Sequence, residues 1–423
     1  MPQAVGTRDN AMRMRCECGA NAVRGTLAYE HAIGTQPLLR LPTMCKREPL
    51  IPASVGSEVS PRDATESSLD VSAIARGLGV SVDAVRLCHQ CELVDLHLDP
   101  LIAHRLWGYD FVARHKRGPF GRWLFGHMDV PRARDGGLSG AMFSITTNPL
   151  RTPQDRWATL QTNIERMRRI VSGSDGALML ARSMTEYRRA RSAGAVACMP
   201  AVQGANALVG GAEEIESVCS EWLVRVTLVH LTSSEYGCTS SPVSALQADR
   251  GLTRLGCELV EQLNRARCLV DLAHIHENGF WQALRVHDPS MPVIVTHTGV
   301  RGVTDHWRNL DDAQIRAVAN TGGTIGILFH CAFIDTLTSA YLTRRTTVDH
   351  VIAHMQHVIN VVGEDHVSIG SDFDGFIVPP VDLPDVCAYP RLVQRMLERG
   401  WTSRRIEKIL GGNFLRVFER MRP

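Results

Sequence analysis

Two short stretches of this chain place a histidine two residues before an aspartate: His97 and Asp99 in VDLHLD, and His127 and Asp129 in GHMDVP. Side chains two apart on a β-strand face the same way, so a strand-borne HxD can offer an imidazole and a carboxylate to one cation. Both ligand types suit Zn²⁺, and catalytic zinc sites keep a position open for water. The first pair ends an apolar run. The second precedes Pro131 in a long connection, which favours a structural or pocket-lining role for it. Other polar residues end apolar runs in the same manner: Asn148, Gln203, His230, His274, His297, His330 and Asp372. Taken singly, each of these histidines reads more simply as a hydrogen-bonded, half-buried side chain. Taken together, they call for a fold that gathers many strand ends on one face.

Eight runs rich in Val, Ile and Leu supply such strands: 92–99, 138–148, 193–203, 222–230, 267–274, 291–298, 323–330 and 366–374. Helical stretches separate them, the signature of βαβ units and a parallel sheet. Thr152 can cap one helix with Pro153 at its first position, and Trp157, Leu160, Ile164, Met167 and Val171 follow at helical spacing. Leu252, Leu255, Leu259 and Leu263 make a similar stripe. The expected fold is α/β, a (β/α)₈ TIM barrel, in which the strand C-termini converge on one face. His350, His354 and His357 fall between the last two strands and read as a solvated face of an outer helix.

The chain has 423 residues, more than the roughly 250 of a typical barrel. Residues 1–68 hold one aromatic, Tyr29, and the polar run SEVSPRDATESS, and read as a disordered N-terminal extension; residues 69–423 read as the barrel domain. AIARGLGVSVDAV at 74–85 has a helix-turn-helix look, but no basic recognition helix follows, so it reads as a lead-in to the core. With 44% hydrophobic and 21% charged residues and a formal charge of +2, the composition is globular and gives no footprint for nucleic acid. No stretch reads as a signal peptide or membrane span, which favours the cytoplasm. The twelve cysteines are dispersed, so thiols are expected rather than a disulfide framework, and Cys88 and Cys91 lack a second CxxC to complete a zinc site. A homodimer is compatible with the sequence, although no pattern demands it.

The motifs VDLHLD, VPRARDGGLSGAMFS, VTLVHLTSS, GLTRLGCELVEQLNRARCLVDLAH, VIVTHT followed by WRNLDD, IGSDFDG and LGGNFLRVF occur in the order and spacing of the membrane (renal) dipeptidase family, which the chain resembles from about residue 74 to its C-terminus. The resemblance implies a zinc metallopeptidase on an amidohydrolase-like barrel. His97 and Asp99 would hold one ion, and His274 and His297 the other. It also implies that His230 contacts the substrate carbonyl, Arg308 its carboxylate, and that Asp372 is the acid of the last strand. One position departs from the pattern. Where the family has EGGH, with a Glu bridging both ions, QGAN occupies 203–206. An amide oxygen can ligate but carries no charge and bridges two cations poorly, so Gln203 leaves the count at one or two Zn²⁺.

The implied chemistry is hydrolysis of an amide in a dipeptide-like small molecule, with Asp372 handling the proton and His230 the developing oxyanion. A related hydrolase of lactones or cyclic amides would use the same groups. Gln203 motivates a third reading, a catalytically weak barrel kept as a binding module.

Overall fold

The computed structural model describes residues 70–116, 124–247, 250–336 and 345–423. The extension expected over 1–68 lies outside the described residues. Nine parallel strands follow in chain order: β1 (Val94–Leu98), β2 (Gly140–Thr146), β3 (Leu178–Leu180), β4 (Val196–Gln203), β5 (Arg225–Thr227), β6 (Leu269–Asp271), β7 (Ile294–Thr298), β8 (Thr324–Ile327) and β9 (Val367–Ile369). The sheet runs β2-β1-β9-β8-β7-β6-β5-β4, and a β2–β4 pairing closes it into an eight-stranded barrel surrounded by helices. Each of the eight apolar runs contributes one barrel strand. The short β3 is an addition the sequence did not announce. It pairs with Val196–Cys198 of β4, while Ala201–Gln203 of the same strand pair with β5.

Strands covered on both faces need apolar side chains on both, and for that reason they read as continuous rather than alternating runs. β4 shows how the barrel turns such a run into a site. Ala197, Met199 and Ala201 share a face, with Met142 of β2 in the same cluster, while Cys198 and Val202 pack in the other cluster with the helices. Continuing the two-residue period, that first face ends in Gln203 on β4 and in Ser144 and Thr146 on β2. Thr146 pairs in register with Gln203, so the polar ends are level. Phe414 and Phe418 of the helix Asn413–Met421 belong to the same cluster as Met142 and Met199.

The helix Pro153–Ser172 is capped by Thr152 as expected, and its Trp157, Leu160 and Met167 are buried. In the second stripe Leu252, Leu259 and Leu263 are buried, but Leu255 is 44% exposed, at the second residue of a helix that begins only at Arg254. Residues 74–85 do form two helices, Val71–Leu78 and Val82–Gln90, joined through Gly79 at φ +67°. They dock on the helix Tyr389–Glu398, where Ser81 N donates to Gln394 Oε1 and Arg391 Nε to Leu78 O. The solvated-face expectation for Val348–Val362 fails at His354. Its side chain is fully buried and its Nδ1 accepts from Val300 N at 2.9 Å, because the loop after β7 packs across this helix. Among the described residues no helix is long and apolar enough to cross a membrane.

Candidate functional site

His97 lies within β1 and Asp99 just after it, Gln203 ends β4, His297 lies in β7, and His230, His274 and Asp372 follow β5, β6 and β9 by three residues. His274 and Asp372 both take φ of +66°, a left-handed backbone uncommon for residues other than glycine, so two of the converging side chains are aimed by a strained main chain. A cavity of about 360 Å³ opens at these strand ends, lined by Asp99, Gln203, His230, His274 and Asp372, with Trp307 on its wall.

Among the described residues one group could hold a cation with three ligands: His97, His297 and Asp372, whose ligand atoms all lie within 4.8 Å of one another. The imidazoles of His97 and His297 stack at 3.9 Å, and His97 Nε2 is 3.7 Å from Asp372 Oδ1 and 3.2 Å from Asp99 Oδ2. His274 joins through an Nε2–Nε2 distance of 2.8 Å to His297. The compact group therefore takes one histidine from each of the two pairs that the resemblance implies. Gln203 turns its amide nitrogen to both His274 and His297, at 3.4 Å each. Asp99 Oδ1 and Gln203 Oε1 are buried with no partner among the described residues. Two orphaned oxygens beside imidazole nitrogens are what a donor set for a divalent ion looks like without its cation, so these residues fit a metal.

The rings are held by different supports. Arg225, fully buried, donates from Nη2 to His97 Nδ1 at 3.0 Å and to Ser144 Oγ at 2.7 Å. A guanidinium only donates, so Nδ1 accepts and the neutral ring carries its proton on Nε2, facing Asp99. At His297 the order is reversed. Thr296 Oγ1 gives its proton to Asp271 Oδ2 at 2.7 Å and so accepts from His297 Nδ1 at 2.8 Å, leaving the lone pair on Nε2. Asp95 fixes the strand itself, accepting from His97 N at 3.0 Å, Ser371 N at 2.9 Å and the Tyr389 hydroxyl. Sequence reasoning passed over Arg225, Asp95 and Asp271. Their signal was a charged residue inside an otherwise apolar strand, which burial makes costly unless it is paired.

Burial holds His274 and His297 well below the usual histidine range, with Arg308 the next contributor for the first and His97 for the second. Burial takes His230 down to about 4, and its ring lies 4.7 Å from that of His274. Burial and then the Asp99 carboxylate push Asp372 well above the usual carboxylate range, while Arg308 pulls it back. Arg308 itself lines a neighbouring cavity, and its Nη2 donates to His297 O at 2.7 Å. His330 lines the cavity at the strand ends, with its Nδ1 accepting from Val378 N at 3.3 Å. Asn148 is an exposed turn residue whose side chain accepts from Leu150 N. His127 accepts from Asp374 N, and Asp129 caps the helix Val130–Asp135 and pairs with Arg132 at 2.6 Å, so that HxD is structural. Cys88 and Cys91 are buried thiols, the first pushed well above the usual value by burial and the second to about 11.

An uncharacterized dipeptidase of Schizosaccharomyces pombe is 28% identical over 347 residues, 79% of this chain and 81% of its own. An uncharacterized protein of Klebsiella pneumoniae, from the pqqA 5′ region, is 28% identical over 269 residues, 63% of this chain and 97% of its own. A crystal structure of a metallopeptidase from Rhodobacter sphaeroides, liganded with a phosphinate mimic of the dipeptide L-Ala-D-Ala, shares the fold with a TM-score of 0.69 at 24% identity, over 78% of this chain and 99% of that one. The profile of the membrane dipeptidase family, peptidase family M19, matches residues 82–422. That span carries the whole barrel and every residue of the site, and the chain belongs to the membrane dipeptidase family as a metallo-dipeptidase-like hydrolase.

Proposed function

We propose that this chain hydrolyses the amide bond of a dipeptide or dipeptide-like small molecule, with zinc held by His97, Asp99, His274, His297 and Asp372 and with Gln203 at the bridging position. The observation that carries this reading is the pair of unpartnered buried oxygens, Asp99 Oδ1 and Gln203 Oε1, beside the imidazole nitrogens of a dipeptide-sized cavity. A bound zinc ion supplies Lewis-acid chemistry, making water nucleophilic near neutral pH and drawing charge from the scissile carbonyl. Asp372, whose Oδ1 stands 3.7 Å from His97 Nε2 at the strand ends, takes the proton of the attacking water and passes it to the leaving amine. His230, held neutral, donates an N–H to the oxygen on which charge develops. Arg308 binds the substrate's terminal carboxylate with the guanidinium donors that His297 O leaves available.

The test is metal content and hydrolysis measured together on the full chain. Zinc-dependent cleavage of a simple dipeptide, lost on chelation and restored by zinc, is the expected result. Zinc-loaded protein that cleaves no dipeptide, lactone or cyclic amide would leave the binding-module reading. The placement of Gln203 favours that second reading over other rivals, since its amide nitrogen occupies the place between His274 and His297 where a bridging charge would sit.

The division into an extension of residues 1–68 and a barrel of 69–423 belongs to the same proposal, and deleting 1–65 should leave the melting temperature and activity nearly unchanged. So does a cytoplasmic location, in keeping with the thiols of the described residues. Light scattering distinguishes a monomer from the homodimer.

A further inference from the structure

A second cavity of about 330 Å³ lies beside the first and shares His274 and Trp307 with it. Among the described residues three arginines line it, Arg250, Arg301 and Arg308, against one carboxylate, Glu277. Three buried polar atoms on its wall have no partner among the described residues: Ser240 Oγ, Arg301 Nε and Arg308 Nε. Arg308 is only 4% exposed. Buried guanidinium donors left unpaired are unfavourable, and a folded chain that keeps two of them beside one small cavity is stabilised when an anion enters. The wall is tied to the reaction site, since Ser240 N donates to His274 O at 2.7 Å.

We propose that this cavity receives the side-chain carboxylate of the residue that leaves on hydrolysis, so that preferred substrates end in aspartate or glutamate. The inference rests on the hydrolase reading above. Arg308 serves the terminal carboxylate, and Arg250 and Arg301 remain for a second one, which a planar guanidinium matches with two parallel hydrogen bonds. An amide in the same place offers one neutral acceptor oxygen instead of two charged ones, and a methyl group offers none.

The experiment compares kcat/KM of the zinc-loaded full chain on Ala-Asp and Ala-Asn, with the second residue in both configurations. A preference for Ala-Asp of about 10-fold or more is expected, the size of a charged hydrogen bond made in a buried site. Arg301→Gln and Arg250→Gln should each shrink that ratio toward one. Equal rates on the two substrates, or a ratio unchanged in both variants, would overturn the proposal. If no dipeptide of any kind is cleaved, the hydrolase reading has failed, and calorimetry then decides the pocket alone. N-acetyl-aspartate binding more tightly than N-acetyl-asparagine, with the difference lost in Arg301→Gln, supports a carboxylate pocket; equal binding overturns it. Inorganic phosphate that binds at this wall without competing with Ala-Asp would show a separate anion site and also overturn the assignment.

Discussion

The β1 side and the β7 side of the reaction site carry the same residue type, yet the structure prepares the two rings oppositely. On the β1 side Arg225 faces Nδ1 of His97, so the ring proton points into the site toward Asp99. On the β7 side the Asp271–Thr296 relay takes the Nδ1 proton of His297, and a lone pair points into the site instead. A cation at His97 has to replace a proton, whereas one at His297 meets a ready donor. The difference shows that a histidine is a ligand or a donor according to what grips its far nitrogen. Arg225 also links the halves, since its Nη1 lies 3.7 Å from Asp271 Oδ2 and donates to Thr227 Oγ1 at 2.6 Å.

The largest change should come from restoring charge between His274 and His297. Gln203→Glu is expected to raise affinity for a second zinc by about 100-fold in chelator competition, with dipeptide turnover rising alongside occupancy. Unchanged occupancy would mean that another residue supplies the bridge. Asp271→Asn attacks the β7 support and should weaken zinc binding by roughly 30-fold, because the relay that orients His297 loses its negative end. If affinity holds, the relay does not set the ring. Arg225→Met attacks the β1 support in the other sense: zinc affinity should rise by about 10-fold even as the melting temperature falls, since the His97 ring can then move its proton to Nδ1. A drop in affinity would show that the arginine positions His97 for the metal rather than against it.

The smallest effect concerns a histidine outside the site. Burial takes His354 down to about 4, against about 6.5 for an unfolded chain. The unfolded chain therefore binds the extra proton first, so stability is unaffected above pH 6.5 and is lost as the pH falls from 6.5 toward 4. Between pH 7 and 5.5, His354→Gln should remove about 1 kcal/mol of that loss, measured by denaturant unfolding. An identical pH slope in both proteins would place the titration elsewhere.

The strands and their polar ends were legible because burial on both faces leaves long apolar runs, and a His or Asp at the end of such a run stands out. β3 was not, since three residues paired to half of one neighbour make too short a pattern to separate from a helix end. His354 was misplaced because helical spacing shows which residues share a face, but not what a distant loop lays across that face. Arg225 looked like an interruption of a strand until Ser144 and His97 were brought to it from two other strands.

The sequence by itself determined the parallel barrel and the family, because strand period and motif order are local properties of the chain. Only the tertiary structure decided that His97, His297 and Asp372 form the compact group, that Gln203 leans on His274 and His297, and that Arg308 opens on a second, arginine-lined cavity. The first two of those relations join residues separated by 71 to 275 positions, so no spacing in the chain records them, and barrel closure sets their distances.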